Sequence, residues 1–330
     1  MIKTTVVGSY PVPTWLRLLS SREGLRDAML AVIKTQELAG IDVVADGELY
    51  RWDVNHAETN GMIDYFVRPL GGVSTTPSAA QLRAWRARAD MGFRAKPAGW
   101  VSGPLDAGSL DLAADFALYR GLTDRPKKFT VTSPYMLAKT LADEHYGELA
   151  AIVAAIGDIL GEQVAEIDAD VLQVDEANVT GHADDGAIAA DGINRVLSQA
   201  RGEKAVHLCF GNYGGQTIQA GTYAKLVDFL NALDCDHLVL EVARRPHDEL
   251  AVLADVDKRI GLGIGVIDIK DNEVETPDCV ARRIERAASV VGAERIRYVH
   301  PDCGFWMLAR SVADAKMRSL VAGRDLYAGH

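Results

Sequence analysis

Short apolar runs alternate with longer amphipathic stretches along the whole chain. Eight of these runs are rich in Val, Ile or Thr and end on polar or glycine residues, which is typical of strands. Between them, stretches such as Glu148–Ile167 repeat isoleucines at helical spacing. The alternation predicts a (β/α)8 TIM barrel, in which each parallel strand is followed by a helix. The predicted strands are Thr4–Val7, Asp42–Ala45, Lys128–Thr132, Val171–Val174, Ala205–Cys209, His237–Val242, Gly261–Ile269 and Arg297–Val299.

The segment Pro69–Leu105 departs from this repeat. It is rich in Gly, Pro, Ser and Arg, and it falls between the second and third predicted strands. A segment this short would bury too little apolar surface to fold as a separate domain. We therefore predict a hairpin-containing insertion at 69–105, within a single barrel domain that spans residues 1–330.

Composition narrows the class of protein. The net charge of -11 argues against a nucleic-acid surface, which needs clustered Lys and Arg. No run approaches the roughly 18 apolar residues that cross a bilayer, and the first residues lack the features of a signal peptide. Without such a signal, the four cysteines are expected to be thiols or metal ligands. We predict a cytoplasmic enzyme without membrane or nucleic-acid partners; an oligomer remains possible.

Polar residues collect where the predicted strands end. In a TIM barrel the catalytic groups lie at the carboxyl ends of the strands and in the loops that follow. Burying many carboxylates and histidines together is costly unless they are paired or bind a metal. Such a ring at one end of the barrel therefore predicts a site. Its members are Gly8 and Ser9, Asp46 and Glu48, Asp175 and Glu176, His207 and Cys209, Glu241, Asp268 and Lys270, and His300, Asp302 and Cys303.

His207 and Cys209 are the most informative pair. They lie two residues apart on one strand, so both side chains point to the same face. Alone, the pair also fits a buried histidine beside a small apolar cysteine. Cys303 adds a second thiol at the end of the last strand, and imidazole and thiolate are the ligands that zinc prefers. We therefore predict a zinc site of His207, Cys209 and Cys303, with Glu241 completing the tetrahedron.

Six motifs resemble the cobalamin-independent methionine synthase family, and they run through nearly the whole chain. They are VVGSYP at the start, ADGE, VLQVDEA, HLC, LEVAR and HPDCG. The length is similar to that of the catalytic half alone, the compact, single-barrel branch of the family. The resemblance implies a zinc ion at His207, Cys209, Glu241 and Cys303 that binds the sulfur of homocysteine.

The resemblance also implies how the amino acid is held. Gly8 and Ser9 would contact its carboxylate, and Glu48 and Asp175 would bind its ammonium group. The chemistry agrees, because an ammonium group needs carboxylate partners, and zinc lowers a thiol's pKa from about 8.5 so that thiolate persists at neutral pH.

One departure from the family bears on the methyl donor. The long enzymes have a histidine, thought to protonate the folate leaving group, where this chain has Lys270 in Asp-Ile-Lys. A lysine is normally charged at neutral pH and transfers protons less readily unless it is buried. Methyl-folate is therefore a weaker candidate donor than a methyl-corrinoid on a partner protein. Lys270, Asp268 and His300 are the candidate catalytic residues.

Two alternative functions remain open. Epoxyalkane–coenzyme M transferases resemble this chain in the VGSYPVPTWL opening and add a zinc-bound thiolate to an epoxide, but their sulfonate thiol would not use Glu48 and Asp175. A non-catalytic zinc or ligand-binding barrel is the other, because four protein ligands can close a structural site.

Overall fold

The computed structural model of this protein describes residues 1–18, 21–52, 60–87, 96–211 and 221–329. Eight of its strands form one parallel sheet in the order β1-β11-β10-β9-β8-β7-β5-β2, and a parallel bridge between Thr5 and Val43 joins the two ends. The predicted TIM barrel is confirmed. The strands are β1 Lys3–Thr4, β2 Val44–Ala45, β3 Gly71–Ser74, β4 Trp100–Asp106, β5 Lys127–Thr132, β6 Ala142–Asp143, β7 Val171–Glu176, β8 Glu203–Leu208, β9 His237–Leu240, β10 Gly261–Ile267 and β11 Ile296–Pro301.

Two of the long helices begin at residues whose side chains cap them. The side chain of Ser21 caps α2, and Thr276 caps α11 with a proline at its first position. Ile152, Ile156 and Ile159 of α7 are buried as the helical spacing predicts. The helices are α1 Thr14–Leu18, α2 Arg22–Ala39, α3 Asp64–Val67, α4 Ala79–Arg86, α5 Leu112–Arg120, α6 Pro134–Thr140, α7 Leu149–Ala165, α8 Gly186–Leu197, α9 Val227–Ala232, α10 His247–Val252, α11 Pro277–Val291 and α12 Arg310–Ala328.

The insertion after the second barrel strand contains the predicted hairpin. β3 and β4 pair antiparallel, and β6, which follows the next barrel strand, pairs parallel with β4. The small sheet therefore contains strands that precede β5 in the sequence and one strand that follows it. The assignment of residues 1–330 to one domain stays a prediction.

Strand limits differ from the prediction by up to three residues at some ends. β10, which corresponds to the seventh predicted strand, ends at Ile267, two residues before the predicted limit. Ile269 is buried, which explains the longer apolar run, but it lies beyond the end of β10. Burial and backbone pairing are separate properties, and the apolar pattern reports only burial.

The barrel interior contains a small apolar cluster, next to buried polar side chains such as Lys128. Val43, Val171, Ala205, Val239 and Tyr298 belong to one small apolar cluster contributed by different strands, together with Val7. This packed layer supports the polar residues beyond it. Among the described residues, no helix is both long and apolar enough to cross a membrane.

Candidate metal and substrate site

A cavity of about 240 Å³ opens at the carboxyl ends of the barrel strands. The loops after β1, β2, β7 and β11 supply most of its wall, together with the end of β8. Seven of the predicted site residues line it: Ser9, Glu48, Asp175, Glu176, His207, Cys209 and Cys303. The sulfur ligands and the carboxylates predicted from separate motifs therefore share one cavity.

His207, Cys209 and Cys303 form a group that suits a metal ion. Their ligand atoms all lie within 4.8 Å of one another, and the sulfurs of Cys209 and Cys303 are 3.6 Å apart. Parallel register places His207 of β8 between Asp175 of β7 and Val239 of β9. Cys209 continues the same inward face just after β8 ends.

The imidazole of His207 is oriented for coordination. Its Nδ1 lies 2.8 Å from the carbonyl oxygen of Val239 and donates to it. This bond leaves Nε2 buried, without a hydrogen-bond partner of good geometry among the described residues. Burial lowers the pKa of His207, but Cys303, Asp175 and the bond to Val239 together outweigh that effect and raise the pKa to about 9. A buried, unsatisfied nitrogen facing two sulfurs fits a metal cation.

The two thiols differ in acidity before any metal binds. The hydrogen bond from Cys209 lowers the pKa of Cys303 to about 5 against the opposing effect of burial, and His207 acts in the same direction. The same bond, with burial, raises the pKa of Cys209 well above its ordinary value. Cys303 is therefore the thiolate of the pair at neutral pH, and thiolate is the form that binds metal.

Asp302 fixes the loop that carries Cys303. Its Oδ1 accepts hydrogen bonds from the backbone nitrogens of Val242, at 2.9 Å, and Ala243, at 2.8 Å. Gly265 of β10 makes room for this carboxylate, because a Cβ atom there would lie 2.1 Å from Asp302 Oδ1. The glycines of β10 therefore allow close packing beneath the site.

Glu241 lies beside the group of His207, Cys209 and Cys303, and both of its carboxylate oxygens contact other protein atoms. Oε2 is 3.5 Å from Cys209 Sγ and accepts from the backbone nitrogen of Phe210 at 3.1 Å. Oε1 is 2.6 Å from Nζ of Lys270, and both side chains are almost completely buried. Its predicted role as a fourth ligand stays a prediction.

Glu48 lies on a strained turn at the cavity wall. It adopts a positive φ of 57°, the only such non-glycine residue among those described, and such conformations concentrate at functional sites. Its Oε1 accepts from Oγ1 of Thr130 at 2.7 Å, and its Oε2 is 3.2 Å from Nη1 of the buried Arg51. Gly8 packs against this carboxylate, because a Cβ atom there would lie 2.1 Å from Glu48 Oε1.

Asp175 is the second carboxylate at the cavity. Its Oδ1 accepts from Nε2 of Gln173 at 2.7 Å. Burial raises its pKa to about 7, against the opposing charge of His207. A cationic group bound in the cavity would favour its ionised form.

The other predicted residues lie outside the cavity lining. Asp268 accepts from the backbone nitrogen of Lys270 at 2.8 Å, which shapes the loop after β10. His300 is fully buried in the barrel, where burial lowers its pKa to about 3. Its Nδ1 lies 2.7 Å from the carbonyl oxygen of Pro301, so the neutral ring donates to that oxygen.

The prediction missed several residues that shape the site. Arg51 lines the cavity beside Glu48, and it directly follows the Gly-Glu-Leu-Tyr segment in the sequence. Lys128 and Gln173 lie deeper, where Lys128 Nζ donates to Gln173 Oε1 at 2.7 Å. The sequence signal for these two residues was a lysine and a glutamine inside largely apolar strands. A polar side chain buried in such a strand needs a polar partner nearby.

The sequence is similar to known proteins over nearly its whole length. The sequence profile described as the cobalamin-independent synthase catalytic domain matches residues 2–324. The methionine synthase of Thermococcus kodakarensis is 28% identical, over 99% of this chain and 93% of its own length. That of Sulfurisphaera tokodaii is 26% identical, over 99% and 92%.

Solved structures show the same fold. A B12-independent methionine synthase from Shewanella sp. W3-18-1, in complex with selenomethionine, superposes with a TM-score of 0.81 at 24% identity, covering 100% of this chain and 98% of that one. A methyltransferase from Methanosarcina mazei superposes with a TM-score of 0.62 at 13% identity, covering 99% and 94%. The resemblance predicted from the six motifs is confirmed, and the chain belongs to the family of cobalamin-independent synthase catalytic domains.

Proposed function

We propose that this protein transfers a methyl group to the thiol of homocysteine, giving methionine, and that a zinc ion held by His207, Cys209 and Cys303 takes part. The observation that carries the proposal is one cavity lined by all three metal-binding side chains and by the carboxylates of Glu48 and Asp175. The relatives that are named methionine synthases and match this chain over almost its full length support it.

Each half of the cavity suits one end of an amino thiol. Zinc bound by these residues would lower the pKa of a coordinated thiol, so that thiolate persists at neutral pH. Asp175 and Glu48 would bind the ammonium group, and Ser9, which also lines the cavity, would donate to the carboxylate. These contacts would hold the sulfur in line with the methyl carbon; the new C–S bond would form as the bond from carbon to its donor breaks.

We propose a methyl-corrinoid on a partner protein as the methyl donor, with methyl-folate as the alternative. Lys270, at the position of the histidine thought to protonate folate, is buried in an ion pair with Glu241. Its Nζ contacts that carboxylate, and Lys270 does not line the cavity in which a folate leaving group would need a proton. A corrinoid leaving group needs no proton.

A thiol and donor screen tests the function. The purified zinc-loaded protein is incubated with homocysteine and either methylcobalamin or methyl-folate, each with a 13C-labelled methyl group, and labelled methionine is measured by mass spectrometry. We expect labelled methionine, formed faster from methylcobalamin. A parallel reaction contains coenzyme M and an epoxide in place of homocysteine and the methyl donor. Formation of the thioether in that reaction, without methionine in the others, would support the epoxyalkane transferase function instead.

Metal analysis tests whether the site is needed. Purified Cys209→Ser and Cys303→Ser should each retain less zinc than the unaltered protein, because each loses a thiolate ligand. Full zinc content in both would overturn the proposed ligand set. Full zinc with no turnover on any thiol would favour the non-catalytic barrel.

A further inference from the structure

Gln173 is a fully buried amide on β7, two residues before Asp175. The two-residue period of a strand turns both side chains to the same face. The Nε2 of Gln173 donates to the carbonyl oxygen of Val7 at 2.9 Å and to Asp175 Oδ1 at 2.7 Å. Its Oε1 accepts from Lys128 Nζ at 2.7 Å. Both N–H bonds and the oxygen of the amide therefore have protein partners.

The orientation of this amide follows from the chemistry of its neighbours. A backbone carbonyl oxygen can only accept, so the group that faces Val7 must be the NH2 group of Gln173. Oε1 then faces Lys128, whose Nζ also donates to the carbonyl oxygen of Val6 at 2.9 Å. An amide turned by 180° would place its oxygen against the oxygens of Val7 and Asp175. The arrangement of these groups therefore presents a donor to Asp175.

The bond from Gln173 holds one oxygen of a carboxylate at the cavity wall. Asp175 lines the cavity and is 4% exposed, so protein atoms surround most of its side chain. A hydrogen bond to an ionised group is stronger than one between neutral groups, and burial strengthens it further. Gln173 and Lys128 lie outside the cavity lining. They would therefore affect a bound ligand only through the groups that they hold.

We propose that Gln173 and Lys128 are positioning residues that make the site specific for a thiol with an amino group. Gln173 aims the carboxylate of Asp175 at the ammonium group, and Lys128 holds the amide of Gln173 in place. The inference rests on the proposed function, in which Asp175 binds the ammonium group of homocysteine. It adds a determinant of substrate choice that lies behind the cavity wall.

Binding of two thiols to the zinc-loaded protein, measured by calorimetry, tests this role. L-Homocysteine and 4-mercaptobutanoate have the same thiol and carboxylate at the same spacing, and only homocysteine has the amino group. We expect Gln173→Met to raise the Kd of homocysteine about tenfold and that of 4-mercaptobutanoate less than about twofold, because only the ammonium group uses Asp175. Lys128→Met should change the two Kd values in the same direction.

Thr132→Val is the matched control. Thr132 is as deeply buried as Gln173 and pairs with Asp175 in the register of β5 and β7, but its Oγ1 has no hydrogen-bond partner within the described part of the chain. We expect the control to bind homocysteine as the unaltered protein does. Zinc content and urea unfolding show for each variant whether the metal site and the barrel are intact.

A double-mutant cycle separates positioning from a general structural effect. In the Asp175→Asn background, Gln173→Met should change the Kd of homocysteine less than about twofold, because the carboxylate that it aims is absent. Independent effects of the two substitutions would overturn the inference. So would an equal loss of affinity for both thiols, or a preference for homocysteine that is absent from the unaltered protein or unchanged in Gln173→Met and Lys128→Met.

These outcomes are separate from those of the proposed function. A protein whose preference for homocysteine depends on Gln173, but which forms no methionine, would contradict the proposed function and support the positioning role. A protein that forms methionine, and whose preference does not depend on Gln173 or Lys128, would support the function and overturn the inference.

Discussion

Lys128 provides the most quantitative prediction because it is a lysine buried inside the barrel. It is 1% exposed, and its Nζ donates to the carbonyl oxygen of Val6 at 2.9 Å and to Gln173 Oε1 at 2.7 Å. Gln173 in turn donates to Asp175 at 2.7 Å. Lys128 therefore supports, through one intermediate, a carboxylate at the cavity wall.

Burial lowers the pKa of Lys128 from its ordinary 10.5 to about 7, although the carboxylates of Asp175, Glu203 and Glu48 oppose the change. Because this pKa is lower in the folded protein, the unfolded chain binds the proton first as the pH falls. Above pH 10.5 the lysine is uncharged in both states, so its titration does not lower the free energy of unfolding. As the pH falls from 10.5 to about 7, the free energy of unfolding decreases. At about 1.4 kcal/mol for each pH unit, the total is of the order of 5 kcal/mol.

Urea unfolding of the unaltered protein and of Lys128→Met, measured from pH 7 to pH 10, tests this magnitude. Methionine is uncharged and of similar length, so the difference in unfolding free energy isolates the titration of Lys128. We expect the unaltered protein to gain about 1.4 kcal/mol relative to the variant for each pH unit above 7. Equal m values ensure that the difference reports stability. Parallel curves across this range would refute the reasoning.

Three further predictions concern the site itself. In metal-free protein, iodoacetamide should modify Cys303 before Cys209, and the rate of Cys303 modification should fall as the pH drops through about 5, because protonation removes the Cys303 thiolate. Peptide mass spectrometry identifies the modified cysteine, and equal labelling of the two would contradict this prediction. Gly265→Ala would place a Cβ 2.1 Å from Asp302 Oδ1, so we expect a loss of about 2–3 kcal/mol in urea unfolding and lower zinc content; an unchanged protein would count against the packing argument. Glu48→Gln should raise KM for homocysteine about tenfold with a smaller change in kcat, because it removes a charged partner of the ammonium group; an unchanged KM would exclude that role.

The barrel and the grouping of His207, Cys209 and Cys303 could be predicted because both depend on local patterns. Buried parallel strands form short apolar runs, and the fold places their carboxyl ends together. His207 and Cys209 share a face through the two-residue period of a strand. Cys303 followed from its position at the end of the last strand.

The contacts between loops could not be predicted in the same way. The pairing of Glu241 with Lys270 depends on the paths of the loops after β9 and β10, and no spacing along the chain encodes those paths. The sequence therefore did not predict that these two side chains form an ion pair, and their roles as a metal ligand and a candidate catalytic residue stay predictions. Arg51 was missed for a similar reason, because its burial beside Glu48 follows from the shape of a single turn.

The central claim is that the substrate sulfur binds the metal held by His207, Cys209 and Cys303. Zinc X-ray absorption with selenohomocysteine tests it most directly, because selenium scatters differently from every protein ligand. We predict a selenium atom in the first coordination shell of zinc when the ligand is saturating, and no such atom in Cys303→Ser. Saturated protein whose zinc has no selenium neighbour would contradict the claim.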